Sequence, residues 1–209
     1  MATKLGFTQT DRALKIDSPL GPDTLLLRGI AGQEAISQMF RFQLDLISED
    51  DAIPFDSIVG KNVTLHLEVA DGERTWNGFI SCFSQGARDE RVGTYHAEMV
   101  PWLWFLTRTA DCRIFQNLTV PDIVQKIFKD LGFQDYKLQL YSHYRQRDYC
   151  VQYRETDFNF VARLMEEEGI YYFFQHEKGK HTMVLADDAA AHQPCPGQPE
   201  ARCEQAVGG

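Results

Sequence analysis

The histidines are the side chains whose pKa best suits general acid–base chemistry near neutral pH. The chain has six, dispersed along its length: His66, His96, His143, His176, His181 and His192. None lies in a nucleophile or zinc-protease motif of the GxSxG or HExxH kind. His66 and His96 occupy the polar positions of alternating segments, so we expect both on the surface. The sequence therefore predicts no catalytic histidine.

Paired carboxylates are the other arrangement that would indicate catalysis. Asp50 is followed by Asp51, and Asp187 by Asp188, but both pairs fall in loops or at strand ends. A glycosidase instead holds two carboxyl groups at a set separation on either side of the bond that it cleaves. A Gly-rich phosphate loop is also missing from the sequence. We therefore predict no catalytic residues, no cofactor and no enzymatic activity in this chain.

A metal site near the C-terminus is the remaining chemical alternative. His192, Cys195 and Cys203 could supply ligands, but their spacing fits no known zinc pattern. The surrounding Pro- and Gly-containing segment would also give them no rigid support. The five cysteines are odd in number and include no CxxC pair, which is typical of free thiols in a reducing cytoplasm. The prediction is no metal.

The charge balance limits the partners. With a formal net charge of −9 and no basic stripe, the chain should repel phosphate backbones, so no nucleic-acid partner is predicted. The first 18 residues mix charged and apolar side chains and do not form a signal peptide. Apolar runs also stay well short of the ~20 residues that span a bilayer. We expect a protein that folds in the cytoplasm and leaves it, if at all, by a specialised route.

The first half of the chain has the periodicity of β-strands. Residues 40–46 and 63–69 alternate apolar and polar side chains, and 76–83 reads as the return strand of a hairpin. Further candidate strands are 25–30 and 95–106, with Pro101 introducing a bulge or a break in the second. Short strands with turns between them predict an antiparallel barrel or sandwich.

The second half predicts two helices and a hairpin. Thr119, Pro121 and Asp122 form a helix start, and Gly132 ends a helix whose apolar residues share one face. A second helix should run from Thr156 to about residue 168. Residues 170–174 and 181–186 should then pair around the turn at 178–180. The predicted fold is mainly β with an α+β part: an antiparallel β-barrel followed by a small lobe of two helices and a hairpin.

This pattern divides the chain into three regions. Residues 1–112 are predicted to form the barrel, which could lack its closing strands, and 113–190 the α+β lobe. Residues 191–209 have the Pro- and Gly-rich composition of a linker that leads to an absent remainder.

Two clusters of side chains are candidates for an interface. They comprise Glu166, Glu167, Glu168, Tyr171, Tyr172, Trp102 and Trp104. Three acids at a helix C-terminus oppose the helix dipole, which indicates either a solvated acidic face or a contact with a basic partner. The aromatic residues would have one face in the core and the other at a subunit contact, unless they serve core packing alone.

Four segments carry a resemblance to a known family: GKNVTL at 60–65, MVPWLWFL at 99–106, RIFQNLTVPDI at 113–123, and the longest, CVQYRETDFNF at 150–160, which continues through LMEEEGIYYFF at 164–174. The chain resembles the VgrG family of type VI secretion spike proteins from about Phe7 to Asp188. The resemblance implies a structural part like the hub of a phage tail, secreted by the type VI machine.

The resemblance also implies partners. VgrG-like proteins form a homotrimer in which two barrels per subunit make a pseudo-sixfold collar, matching the hexameric rings of the tube protein Hcp. Effector and tip proteins would bind through the absent C-terminal part, and baseplate components would contact the hub. An isolated 209-residue chain should be monomeric or weakly associated, because the intertwined needle that stabilises the trimer is missing.

Two other functions stay open at this point. The chain could be the N-terminal part of a secreted effector enzyme whose catalytic domain lies beyond residue 209. It could also be a receptor- or carbohydrate-binding module that uses Tyr171 or Tyr172.

Overall fold

The structure is a computed structural model that describes residues 6–70, 72–89 and 91–193. Its larger sheet is built from six strands: β1 (Leu14–Asp17), β2 (Leu26–Gln33), β3 (Arg41–Ser48), β4 (Asn62–Val69), β5 (Gly72–Arg88) and β6 (Gly93–Val100). They pair antiparallel throughout, in the order β1-β4-β5-β6-β3-β2. The sheet curls into a half-barrel, which confirms the predicted mainly-β, antiparallel fold.

The curl follows from alternation along the strands and from irregularities in the long strand β5. In β3, Phe42, Leu44 and Leu46 are buried while the residues between them are exposed. β5 is 17 residues long and shifts register twice against β6, and such bulges bend a sheet. The curl brings the two edge strands together, so that the Arg12 guanidinium donates to the Leu27 carbonyl at 3.0 Å. The concave face holds one of two hydrophobic cores.

The chain then forms a lobe with its own core. After a 3₁₀ helix (Trp102–Thr107), its elements are β7 (Ala110–Phe115), α1 (Val120–Asp130), β8 (Tyr136–Gln139), β9 (Cys150–Thr156), α2 (Asp157–Glu167), β10 (Tyr171–Glu177) and β11 (Lys180–Ala186). β10 and β11 form the predicted hairpin, and β8 joins it parallel to β11. β7 and β9 form a separate antiparallel ribbon. Helices and hairpin enclose the second core.

Both helices begin where the sequence predicts. Thr119 and Asp122 make a reciprocal capping box, and the Thr156 hydroxyl accepts from the Asn159 N–H at 3.1 Å. Gly132 and Gly169 follow the helix ends with φ of +83° and +70°, a conformation that glycine adopts without strain. Each helix has 11 residues, and no helix in the described part of the chain is long and apolar enough to cross a membrane.

Pro101 separates two elements rather than interrupting one strand. The alternation of apolar and polar residues over 95–106 is too weak to show from the sequence where the strand ends. In the structure β6 ends at Val100, and the chain continues as a 3₁₀ helix. Proline has no N–H for a sheet ladder, and the turn after it drives Trp102, Leu103 and Leu106 into the core of the lobe.

Candidate interface

The acidic run at the end of α2 is paired with arginines of the same chain. Arg147 donates to Glu167 and Glu168, each at 2.7 Å, from a loop that precedes β9. Arg163 also contacts Glu167, at 3.3 Å. The hydrogen bond from Arg147 lowers the pKa of Glu167 below its usual value, more than partial burial raises it. Two cations thereby offset the unfavourable position of these acids at the negative end of the helix, and Glu166 is exposed.

Two of the four candidate aromatic residues lie in the core of the lobe. Trp102 is 2% exposed, stacks on Phe133 with ring centroids 4.9 Å apart, and donates through Nε1 to the Asp135 carbonyl at 3.3 Å. Tyr172 is 3% exposed, and burial raises the pKa of its hydroxyl to about 12. Their rings are therefore not available to a partner or a sugar on the surface of this chain.

The other two candidate aromatics keep part of their surface accessible. Trp104 is half-buried, with the Arg108 guanidinium 5.2 Å from its ring centroid. Tyr171 is also half-buried; its hydroxyl donates to the Asp188 carbonyl at 2.7 Å and its ring stacks on His192. Among the aromatic candidates, these two can contribute to a contact with another chain.

An apolar strip on the β7–β9 ribbon was not predicted from the sequence. Cys112 lies opposite Tyr153 and Ile114 opposite Val151, on the face that points away from the lobe core. Ile114 is 59% and Tyr153 64% exposed. The alternation in these two short segments indicates which side chains point outward, but only the fold shows that no described element covers them.

The joint between the sheet and the lobe combines aromatic rings with a set of polar residues, and this polar set was also missed. We call it the junction: Asn77 and Thr64 on the convex face of the sheet, and His176, Gly179 and His181 on the β10–β11 hairpin. Asn77 Oδ1 accepts from His181 Nδ1 at 2.9 Å, and the Asn77 N–H lies 3.1 Å from His176 Nδ1. The Gly179 N–H donates to Thr64 Oγ1 at 3.0 Å. The hairpin thus docks through specific hydrogen bonds on a face that alternation alone assigns to solvent.

The prediction of a surface position for His66 is wrong as well. His66 is 8% exposed and lies between two carboxylates, 2.8 Å from Glu73 and 3.2 Å from Asp17. Lys178 at the hairpin tip forms an ion pair with the same Asp17 carboxylate at 3.0 Å. His96, in contrast, is exposed as predicted and pairs with Asp45.

The described part of the chain offers no candidate metal site. Within residues 6–70, 72–89 and 91–193, no three His, Cys, Asp or Glu side chains converge in a way that could hold a metal ion. Of the metal alternative at the C-terminus, only His192 is described; Cys195 and Cys203, like most of the predicted linker at 191–209, lie outside the described residues. Cys82, Cys112 and Cys150 are free thiols.

The comparisons with known proteins match this architecture. The family model for the phage tail baseplate hub (GPD) matches residues 33–209. The type VI secretion system spike protein VgrG1c of Pseudomonas aeruginosa is 49% identical over 187 residues, 89% of this chain and 26% of that protein. The actin cross-linking toxin VgrG1 of Vibrio cholerae is 35% identical over 178 residues, 80% of this chain and 16% of that protein. The chain thus spans about a quarter or less of these curated relatives.

A solved structure gives the same result. The E. coli c3393 protein, described as a component of the type VI secretion system with structural similarity to the phage T4 tail proteins gp27 and gp5, superposes with a TM-score of 0.73 at 28% identity. The match covers 81% of this chain and 50% of that one. The chain belongs to the phage tail baseplate hub (GPD) family, and its relatives are VgrG spike proteins of the type VI secretion system.

Proposed function

We propose that this chain is a structural hub part of a type VI secretion spike, at the base of a membrane-puncturing needle. The observation that carries the proposal is the shared fold: a curled six-stranded sheet with a two-helix lobe, like that of the E. coli type VI component. Its apolar side chains are used to build two adjoining cores. Such a molecule presents a shaped surface to other proteins.

The proposed partners follow from the longer relatives. The complete protein would be a homotrimer that docks on hexameric rings of Hcp, contacts the baseplate, and carries effector and tip proteins on its C-terminal part. It would be made in the cytoplasm and exported by the type VI machine. On this chain, the exposed surface of Trp104 and Tyr171, together with Glu166, is the candidate contact, because aromatic side chains with accessible faces are favoured in interfaces.

Binding to purified Hcp rings tests the proposal. We expect the chain to cosediment with the rings and to appear as added density on one ring face in electron micrographs. The double variant Trp104→Ala, Tyr171→Ala should bind at least about tenfold more weakly, a loss of ~1.4 kcal/mol. Phe55→Ala is the matched control, since Phe55 is an exposed aromatic residue in the short 3₁₀ helix Phe55–Ser57, where it packs on Phe83 of the sheet. Bare rings at a large excess of the chain would contradict the hub proposal, and equal binding by the double variant would exclude this contact surface.

The oligomeric state gives a second measurement. The isolated chain should sediment as a monomer or a weakly associated species at micromolar concentration. A tight trimer under those conditions would contradict the proposal that the needle supplies most of the trimer's stability.

An enzymatic role for this chain is the alternative, and a toxin among the relatives makes it worth testing. We propose that any such activity resides in sequence outside the part of the toxin that this chain matches. The purified chain should therefore neither cross-link actin nor hydrolyse peptidoglycan. Turnover of either substrate, lost on substitution of a residue of this chain, would contradict the structural role.

A further inference from the structure

Two hydrogen-bond partners determine the protonation state of His181. Asn77 Nδ2 donates to the Val63 carbonyl at 3.0 Å, so that the Asn77 Oδ1 faces His181 Nδ1 and accepts a hydrogen bond from its N–H. The Trp102 N–H donates to His181 Nε2 at 2.9 Å, so that Nε2 carries no proton. The imidazole is therefore neutral, with its proton on Nδ1, and both nitrogens already have partners.

A second proton on this ring has no acceptor. It would be added at Nε2, where it would point at another N–H donor. His181 is 2% exposed, and Phe40, Phe79 and Phe174 pack their rings around it. Burial, and then the neighbouring His176, lower the pKa of His181 to about 3.

The neighbouring His176, in contrast, has hydrogen-bond partners for both of its protonation states. Its Nε2 contacts the Glu34 carboxylate at 2.8 Å, and its Nδ1 lies between the N–H and the carbonyl of Asn77, at 3.1 and 3.2 Å. Both the neutral and the charged ring therefore find partners. Among the described residues, the ionisable groups facing His181 are His176 on β10 and, behind it, Glu34 after β2 with Arg74 on β5. The two ring centroids are 6.1 Å apart, so a positive charge on His176 opposes a positive charge on His181.

We propose that His181 is an acid-sensitive lock between the six-stranded sheet and the lobe. Protonation of Nε2 breaks the hydrogen bond from Trp102, and the hairpin then leaves the convex face of the sheet. The sheet and the lobe each keep a core of their own, and few side chains, Met39, Phe79 and Phe174, pack from one part on the core of the other. The junction therefore opens before either part unfolds. In the open form His181 titrates near its ordinary value of about 6.5.

The sign and size of the effect follow from linkage. A histidine whose pKa is lowered in the closed form stabilises that form fully above about pH 6.5, and the contribution is lost as the pH falls towards 3. Within that window the equilibrium constant for opening should rise about tenfold for each unit by which the pH falls.

Hydrogen exchange at the junction measures this opening directly. The amides of Trp102, Asn77 and Gly179, corrected for the intrinsic pH dependence of exchange, should open about tenfold more often per unit between pH 6 and 4. His181→Gln keeps a side-chain acceptor for the Trp102 N–H but does not titrate. Its junction amides should therefore lack most of this tenfold rise in opening per pH unit. His96→Gln removes an exposed histidine and should behave like the unchanged protein. Equal slopes in all three proteins would overturn the proposal.

A second measurement needs no variant to fold. In an NMR titration of the unchanged protein, the His181 ring should stay neutral to about pH 4.5 wherever the Trp102 amide is protected, and should gain its proton only as that protection is lost. A His181 ring that titrates near 6.5 while the Trp102 amide remains protected would overturn the proposal.

Discussion

Asn77 and His181, 104 residues apart in the sequence, share a hydrogen bond of 2.9 Å at the centre of the junction. Asn77 is fully buried and also makes a reciprocal amide pair with Asn62, at 2.7 and 3.0 Å. This one side chain therefore connects two strands of the sheet to the hairpin of the lobe. A buried polar side chain of this kind stabilises the fold only because each of its polar atoms has a hydrogen-bond partner.

We expect Asn77→Ala to lower the free energy of unfolding by about 2 to 3 kcal/mol, because it leaves the Nδ1–H of His181 buried without its acceptor. Urea denaturation measures the loss. Gln43→Ala serves as the control, since Gln43 is exposed and its amide bonds only the Glu98 carboxylate; it should cost less than about 0.5 kcal/mol. Comparable losses for the two variants would mean that the junction adds little stability.

Arg147 is half-buried beside the end of α2, and its loss should lower the stability of the protein measurably. Arg147→Ala leaves Glu167 and Glu168 without their main cation at the end of α2, and we expect a loss of about 1 kcal/mol that shrinks in high salt. Lys126→Ala breaks an exposed pair with Asp130 and should cost only about 0.3 kcal/mol. Thermal unfolding at two salt concentrations distinguishes the variants. A salt-independent loss for Arg147→Ala would contradict the electrostatic explanation.

Substitutions of the two tryptophans in the 3₁₀ helix should have different effects, one mainly on stability and the other mainly on binding. Trp102→Ala empties a fully buried site and should cost about 3 to 5 kcal/mol in chemical denaturation. Trp104→Ala, at a half-buried site, should cost clearly less and act mainly on binding to the Hcp rings. Equal destabilisation by the two substitutions would show that Trp104 is also a core residue.

Asp187 should stabilise the protein only while its carboxyl group is ionised. Burial opposes that charge, but donors from the Tyr141 and Ser142 N–H groups and the Tyr144 hydroxyl together lower its pKa to about 2. A lowered pKa stabilises the fold above about pH 4, and the contribution disappears as the pH falls towards 2. Asp187→Asn should therefore be less stable than the unchanged protein at pH 6 but equally stable near pH 2.

Denaturation curves at several pH values check the titration of Asp187. Asp148→Asn alters an exposed acid between β8 and β9 and should leave the pH dependence unchanged. A difference between Asp187→Asn and the unchanged protein that persists to pH 2 would show that the side-chain shape, rather than its charge, is what matters.

Local signals in the sequence were sufficient for most of the elements. Alternation along β3 and β4, and the caps at Thr119 and Thr156, depend on neighbours within a few residues, so each can be recognised without the fold. The change of structure after Pro101 was only partly predictable, because proline ends a ladder but does not specify the type of the next element.

The candidate site was less predictable than the fold. An acidic run can be seen in the sequence, but the cation that neutralises it, Arg147, lies 20 residues from Glu167 in a loop without periodicity. The burial of Trp102 and Tyr172, and the accessibility of Trp104 and Tyr171, depend on which faces of the lobe meet. Ten exposed large apolar residues occur in the described part of the chain, and sequence alone does not show that Ile114 and Tyr153 share one face.

The sequence by itself determined most strands of the larger sheet, the two capped helices, the hairpin and the similarity to VgrG proteins, since these depend on short-range patterns or on motifs that can be compared directly. It did not predict the strands β1, β7, β8 and β9. Only the tertiary structure decided that the hairpin of the lobe docks on the polar face of the sheet, joining Asn77 to His181, and that His66 is buried. The physical reason is that a polar side chain on an alternating strand has the same pattern whether water or another protein segment satisfies its hydrogen bonds.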